Sequence, residues 1–276
     1  MIPRLNNWAR SVLADPVTKL PKKFDDFKNV NGVPDARVYL KNSIGFTEWS
    51  DGQTSFEDLE VTKHYSKRKA QNFEKEIQND ALVYKQFKLK EPILDVGGSC
   101  GLLREFLTND KKYLVVDPFI DVHKKVSFAR QRDYKCLSRP LNFVAGVAEF
   151  LPIQSNSFET VHMRSMLDHV QIVDLCLLEA KRVLRSNGLL IIGVSIEGRP
   201  YGKSGKDLRF SILSKKIIKS LLILIGFKRF KDEHVWHPTY ENLIKVITDN
   251  GFRINKIYWQ PSWKGKVVYI SARNVS

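Results

Sequence analysis

The apolar positions of the chain change their period at Pro92. From about His64 to Phe87 they fall at three- and four-residue spacings, with Ala70, Phe73, Ile77, Tyr84 and Phe87 set among charges, as on an amphipathic helix. After Pro92 short apolar runs take over: Ile93 to Val96, Tyr113 to Val116, Phe143 to Val147, Thr160 to Met163 and Leu189 to Val194. Helically spaced stretches intervene near Leu102 to Leu107 and Val173 to Leu184. This alternation predicts βαβ units and a parallel sheet covered by helices on both faces. The chain closes differently, because strand-like Phe252 to Trp259 and Lys266 to Ala272 are joined by Gln260 to Gly265. That connection suits a hairpin and is too short for a crossover helix, so one antiparallel strand is expected at the end.

Residues 1–60 are irregular, punctuated by Pro16, Pro21 and Pro34, with Asn31-Gly32 offering a turn between two short strands. The texture therefore divides the chain into an N-terminal extension, 1–62, and a main α/β domain, 63–276, with an insertion at about 198–235. A length of 276 residues fits one domain of about 150–250 residues and an appendage. With 43% hydrophobic and 27% charged residues, a collagenous, disordered or disulfide-scaffold chain is excluded. Cys100, Cys136 and Cys176 form no CxxC pair, which leaves neither a disulfide framework nor a cysteine zinc site. Pro3, Asn6 and Asn7 interrupt the start before a signal-peptide stretch can form. No apolar run approaches the roughly 18 residues of a membrane span, so a cytoplasmic location is expected.

The net charge of +15 points to an anionic partner, and its distribution sharpens that. Residues 1–92 carry 16 basic and 13 acidic groups, 93–196 carry 13 and 11, and 197–276 carry 16 and 6. Lys203 to Lys231 holds nine basic residues against Asp207 alone. The excess is local to the insertion.

Candidate chemistry centres on Ile93-Leu94-Asp95-Val96-Gly97-Gly98-Ser99-Cys100-Gly101. An apolar strand running into a glycine turn and a helix start exposes backbone N–H groups to a ligand. Twenty-two residues after Asp95, the second strand ends in Asp117, where doubly wound folds grip a ribose diol. A nicotinamide cofactor wants glycines at offsets 0, 2 and 5, whereas here they stand at 0, 1 and 4. Gly97 to Gly101 also reads as the G-x-S-x-G elbow of a hydrolase, with Ser99 as nucleophile and Asp117 or Asp168, then His169, His234 or His237, downstream. That reading leaves Asp95 and Asp117 unexplained.

Together with Phe143 to Pro152, Ser157 to Val161 and Leu178 to Leu190, these residues resemble the class I S-adenosylmethionine-dependent methyltransferases, in particular the type 11 or UbiE-like branch, over roughly Tyr65 to Ala272. The resemblance implies an α/β Rossmann-like sheet of seven strands in the order 3-2-1-4-5-7-6, strand 7 antiparallel, and S-adenosyl-L-methionine as cofactor. It implies that Asp95, Gly97, Gly98, Ser99 and Gly101 surround the methionine portion and that Asp117, followed by Pro118, accepts the ribose hydroxyls. Ala148 and Glu149 would flank the adenine, Arg164 and Ser165 the methyl-donor side, and Tyr65 the carboxylate. Ser99 stands where the family usually has a second glycine. His169 is the candidate base, near the end of the fourth strand where acceptors enter.

Other features weigh less. His234 and His237 have the spacing of two metal ligands on one helical face, but no third ligand is evident, so no metal is expected. Thr239 is a candidate cap for a helix opening after Pro238. Leu13 to Lys19 and Asn31 to Asp35 are similar to the start of Trm112-like zinc-ribbon modules, with Asp15 and Thr18 at the ligand positions, which implies a zinc-free module. Ser211 to Ile225 is basic and amphipathic, then apolar, suited to a lid or to a membrane interface. The resulting expectation is a methyltransferase acting on an anionic, small-molecule or lipid- or glycan-linked acceptor, with peripheral contact to the inner membrane face through 203–231. The alternatives are an RNA methyltransferase and a non-catalytic binding protein on the same scaffold.

Overall fold

The computed structural model describes residues 4–42, 46, 47, 49–51, 53, 54, 73–120, 126–203 and 234–275. Tyr65, most of the basic insertion and the first part of the helix expected from His64 lie outside the described residues.

In chain order the elements are α1 (Asn7–Ser11), β1 (Lys28–Val30), β2 (Val33–Asp35), α2 (Glu74–Tyr84), β3 (Ile93–Val96), β4 (Tyr113–Asp117), α3 (Phe128–Asp133), β5 (Phe143–Ala145), β6 (Phe158–Arg164), α4 (Val173–Val183), β7 (Leu184–Ser195), α5 (Tyr240–Asp249), β8 (Phe252–Trp259) and β9 (Val267–Asn274). The strands form one sheet in the order β1-β2-β5-β4-β3-β6-β7-β9-β8. From β5 to β8 this is the expected seven-strand order, with β9 antiparallel to both β7 and β8. The expectation of seven strands falls short by two, because β1 and β2 extend the sheet beyond β5. They form a hairpin in which Val30 faces Val33 across Asn31 and Gly32, at φ +55° and +84°, the left-handed pair that a two-residue turn needs. Asp35 then registers parallel with Ala145 of β5.

Every residue of β3 and β4 is buried, and the side chains alternate between two apolar layers. Leu94, Val96, Leu114, Val116, Val161 and Met163 join the layer that includes α4 and α5, together with Leu5, Ala9 and Leu13 from around α1. Ile93, Tyr113, Val115 and Phe143 join the opposite layer with Val83 and Tyr84 of α2.

One expected helix is tighter than the spacing suggested: Leu102–Phe106 is a 3-10 helix. Arg104, only 1% exposed, explains it, since its guanidinium is drawn inward to the carbonyls of Gly101, Arg139 and Pro140. The sheet reverses order on either side of β3, and such a switch point opens a crevice at the carboxyl ends of the strands.

Candidate functional site

The turn leaving β3 is shaped by close packing. A Cβ on Gly98 would stand 2.5 Å from Cγ of Asp95, and one on Gly97, at φ +68°, would stand 2.7 Å from Cβ of Met166. Ser99 also has left-handed backbone, at φ +49°, which accounts for the usual glycine at this position. Its N–H donates to Oδ2 of Asp117 at 2.9 Å, while the N–H of Phe119 donates to Oδ1 at 2.9 Å. Asp117 is thus held against the turn by two backbone donors.

Asp95 works beneath the turn. It is 3% exposed, its Oδ2 accepts from the hydroxyl of Tyr113, and its Oδ1 lies 2.8 Å from Nδ1 of His162. The other ring nitrogen of His162, Nε2, lies 3.1 Å from the Tyr84 hydroxyl. Gly101 sits behind the turn, where a Cβ would meet Leu141 at 2.8 Å.

Above the turn opens a cavity of about 370 Å³, within the size range of small-molecule sites. Of the expected site residues, Asp95, Gly97, Gly98, Ser99, Asp117, Pro118, Ala148, Glu149, Arg164, Ser165 and His169 line it, and Gly101 does not. Glu149 accepts from the N–H groups of Gln171 and Ile172 at 2.7 and 3.4 Å, and burial pushes its carboxyl above the ordinary range. Cys100 lies under the turn, its thiol pushed up by burial, which suits packing rather than reactivity.

One face of α2 supplies polar groups that the sequence reading passed over. Glu76, Asp80 and Tyr84 recur every four residues and so share a face. Glu76 accepts from the Tyr134 hydroxyl at 2.8 Å and from Arg130 at 3.2 Å. Asp80 takes a two-pronged bond from Arg164, one arm at 2.8 Å. Tyr84 ends the chain of bonds to Asp95. Their four-residue repeat was the available signal, but polar residues at that spacing usually face water.

The upper wall joins distant segments. Trp49 and Gln53 line the cavity and donate to the His169 carbonyl at 2.7 and 3.0 Å. His234 and His237 do not share a helical face as expected: the residue before Pro238 is disfavoured in helix, and Thr239, whose hydroxyl accepts from the N–H of Asn242, starts α5 only at Tyr240. Instead the N–H groups of Val235 and Trp236 donate to the Asp168 carbonyl at 2.7 and 3.2 Å, which sets His234 beside Asp168 and His169. His237 faces Glu197 at 3.6 Å. Asp15 and Thr18, the degenerate ligand positions of the zinc-ribbon resemblance, form a turn in which Asp15 Oδ1 accepts from the N–H groups of Val17 and Thr18.

Residues 94–192 match the family described as Methyltransferase domain, type 11. A curated relative, the ubiquinone/menaquinone biosynthesis C-methyltransferase UbiE of Rhizobium rhizogenes, is 27% identical over 170 residues, covering 55% of this chain. The chain spans 64% of the length of that relative. Among solved structures, a Burkholderia thailandensis 1,6-didemethyltoxoflavin-N1-methyltransferase with bound S-adenosylhomocysteine is similar with a TM-score of 0.56 and 14% identity, over 87% of this chain and 95% of that one. The N-methyltransferase NodS of Bradyrhizobium japonicum aligns with a TM-score of 0.52 and 14% identity, over 82% and 99%. The [4+2]-cyclase SpnF does so with a TM-score of 0.52 and 15% identity, over 82% and 96%. These likenesses show an α/β Rossmann-like fold of mixed sheet.

Proposed function

We propose, for a chain whose residues 94–192 belong to the type 11 methyltransferase domain family, that it transfers a methyl group from S-adenosyl-L-methionine to a small-molecule acceptor. The carrying observation is the joint placement of the glycine turn and Asp117 at one cavity mouth. The donor set fits the cofactor: closely packed glycines leave backbone room, and a carboxylate fixed at a strand end suits a diol. Gly97, Gly98 and Ser99 then hold the methionine portion, Asp117 the ribose, and Ala148 and Glu149 the adenine. Bound there, the cofactor supplies an electrophilic methyl group on a sulfonium. The chain contributes proximity and orientation, with Trp49, Gln53 and Met166 closing the wall against water and Arg164, held by Asp80, at the end of β6. His169 receives the acceptor proton where the acceptor must lose one.

The similarity to a quinone-biosynthesis C-methyltransferase and to a didemethyltoxoflavin N-methyltransferase supports a small molecule rather than RNA. The nine basic residues of 203–231 support an anionic or lipid-linked acceptor approached at a membrane surface. Calorimetry with S-adenosylhomocysteine tests the cofactor site. Asp117→Ala is expected to weaken binding by roughly 10- to 100-fold, the cost of losing bonds to a charged group. No binding by the parent protein, or equal binding by the variant, rejects the reading. Because a cyclase shares the fold, labelled methyl incorporation into an anionic acceptor panel is the second measurement. Cofactor binding without any turnover would favour the non-catalytic alternative.

A further inference from the structure

Asp168, His169 and His234 each offer a ligand atom, and all three atoms lie within 4.8 Å of one another. Oδ2 of Asp168 is 3.6 Å from Nε2 of His234, and its Oδ1 is 3.9 Å from Nε2 of His169. Both separations are too long for hydrogen bonds. They end on the two different oxygens of the carboxylate and exceed by about 0.1–0.6 Å the roughly 3.3–3.5 Å edge of a tetrahedron whose nitrogen and oxygen ligands stand about 2.0–2.1 Å from a central ion. A second observation is independent of those distances: Asp168 is 7% exposed, yet its Oδ1 has no hydrogen-bond partner among the described residues. A buried carboxylate oxygen without a donor is costly, and a cation among the three groups would remove that cost.

The ligands are also held in place. Val235 and Trp236 pin the His234 segment to the Asp168 carbonyl, and Trp49 and Gln53 fix the His169 backbone. His234, with a side chain 45% exposed, gives an entry path from solvent, while His169 lines the cavity.

We propose that Asp168, His169 and His234 form a binding site for one divalent transition-metal ion at the cavity wall. Two imidazoles and a carboxylate suit zinc, cobalt, iron or manganese, and three protein ligands leave a position for an outside donor. The site goes beyond the methyl-transfer reading and does not depend on it, save that an ion held by Nε2 of His169 would replace the role of that residue as base. That an acceptor oxygen fills the open position rests on that reading.

The test is a Co²⁺ titration of the full-length, chelator-stripped protein without cofactor, followed by visible absorption. One equivalent of Co²⁺ is expected to give a saturable ligand-field band that Zn²⁺ displaces. Asp168→Asn, nearly isosteric, and His234→Ala, at an exposed position, should each weaken binding by at least about 10-fold, with His237→Ala unchanged. A cooperative thermal melt of each variant shows that the fold persists. Absence of a saturable band in the parent protein, or full binding by either ligand variant, overturns the proposal. Neither result touches the cofactor site, which the homocysteine-derivative calorimetry reads separately.

Discussion

At the scale of single residues, the turn after β3 separates two demands that look alike in a glycine-rich sequence. Gly98 is required by space: a Cβ there meets Cγ of Asp95 at 2.5 Å, and Asp95 cannot retreat because Tyr113 and His162 hold both its oxygens. Ser99 is constrained by backbone alone, at φ +49°, in a region that costs an L-residue roughly 1–2 kcal/mol. Gly98→Ala is therefore expected to destabilise by about 1–3 kcal/mol, in line with an overpacked core, and to lose S-adenosylhomocysteine binding with it. Ser99→Gly relieves the strain but adds freedom to the unfolded chain worth about 0.4–1 kcal/mol. The difference is a net gain of about 0–1.6 kcal/mol, so its urea midpoint should stand at or somewhat above that of the parent, with cofactor binding kept. A Ser99→Gly protein that folds but no longer binds would mean that the hydroxyl is itself a ligand.

At the scale of elements, what was legible in the sequence follows from how local each constraint is. The strand–turn pair of β3 and the carboxylate ending β4 were readable because apolar runs and left-handed backbone restrict residue type at adjacent positions. The face of α2 was not, since Glu76, Asp80 and Tyr84 point inward only because Arg130, Arg164 and His162 arrive from elsewhere. Nor could the sequence bring His234 to Asp168, 66 positions away and with no periodic pattern to pair them. The α2 face carries its own prediction. Asp80 is 2% exposed and carries the two-pronged bond from Arg164, against which Gln260 also packs at 3.4 Å. Breaking a fully buried pair costs about 3–5 kcal/mol, but the Arg164 side chain is 32% exposed, so water recovers part of that. Asp80→Ala is expected to lose about 1–3 kcal/mol in urea denaturation, with Asp80→Asn in between. A loss below about 0.5 kcal/mol, typical of a surface pair, would show that Asp80 and Arg164 do not brace the site.

At the scale of the whole molecule, the N-terminal residues and the α/β unit share one core and one site. Leu5, Ala9 and Leu13 sit in the same apolar layer as Leu94 and Val161, and Trp8 packs edge-on to Phe158 at 5.8 Å. The Asn31-Gly32 turn was legible, but the docking of its hairpin on β5 was not, because it depends on Asp35 meeting Ala145 across more than a hundred residues. Beyond the hairpin, Arg37 donates to Asp35 from Nε and Nη2 and to the Pro118 carbonyl from Nη1 at 3.2 Å, directly after Asp117. Trp49 and Gln53 then reach the cavity wall. The β1–β2 hairpin thus positions the chain that walls the site. Removing residues 1–36 takes away Leu5, Leu13, Phe27 and Val33, side chains whose burial is worth about 1.5–3 kcal/mol each, and opens the β5 edge. Even after the ordering entropy of the lost segment is set against it, this is a large share of the about 5–15 kcal/mol that holds a domain together. The truncated chain is expected to melt without a sharp transition and to bind an apolar dye, while the milder Leu13→Ala keeps a cooperative melt at about 2–5 kcal/mol lower stability. A truncated protein that melts as sharply and as high as the parent, and still binds S-adenosylhomocysteine, would show that the shared core contributes little and that residues 37–276 fold without it.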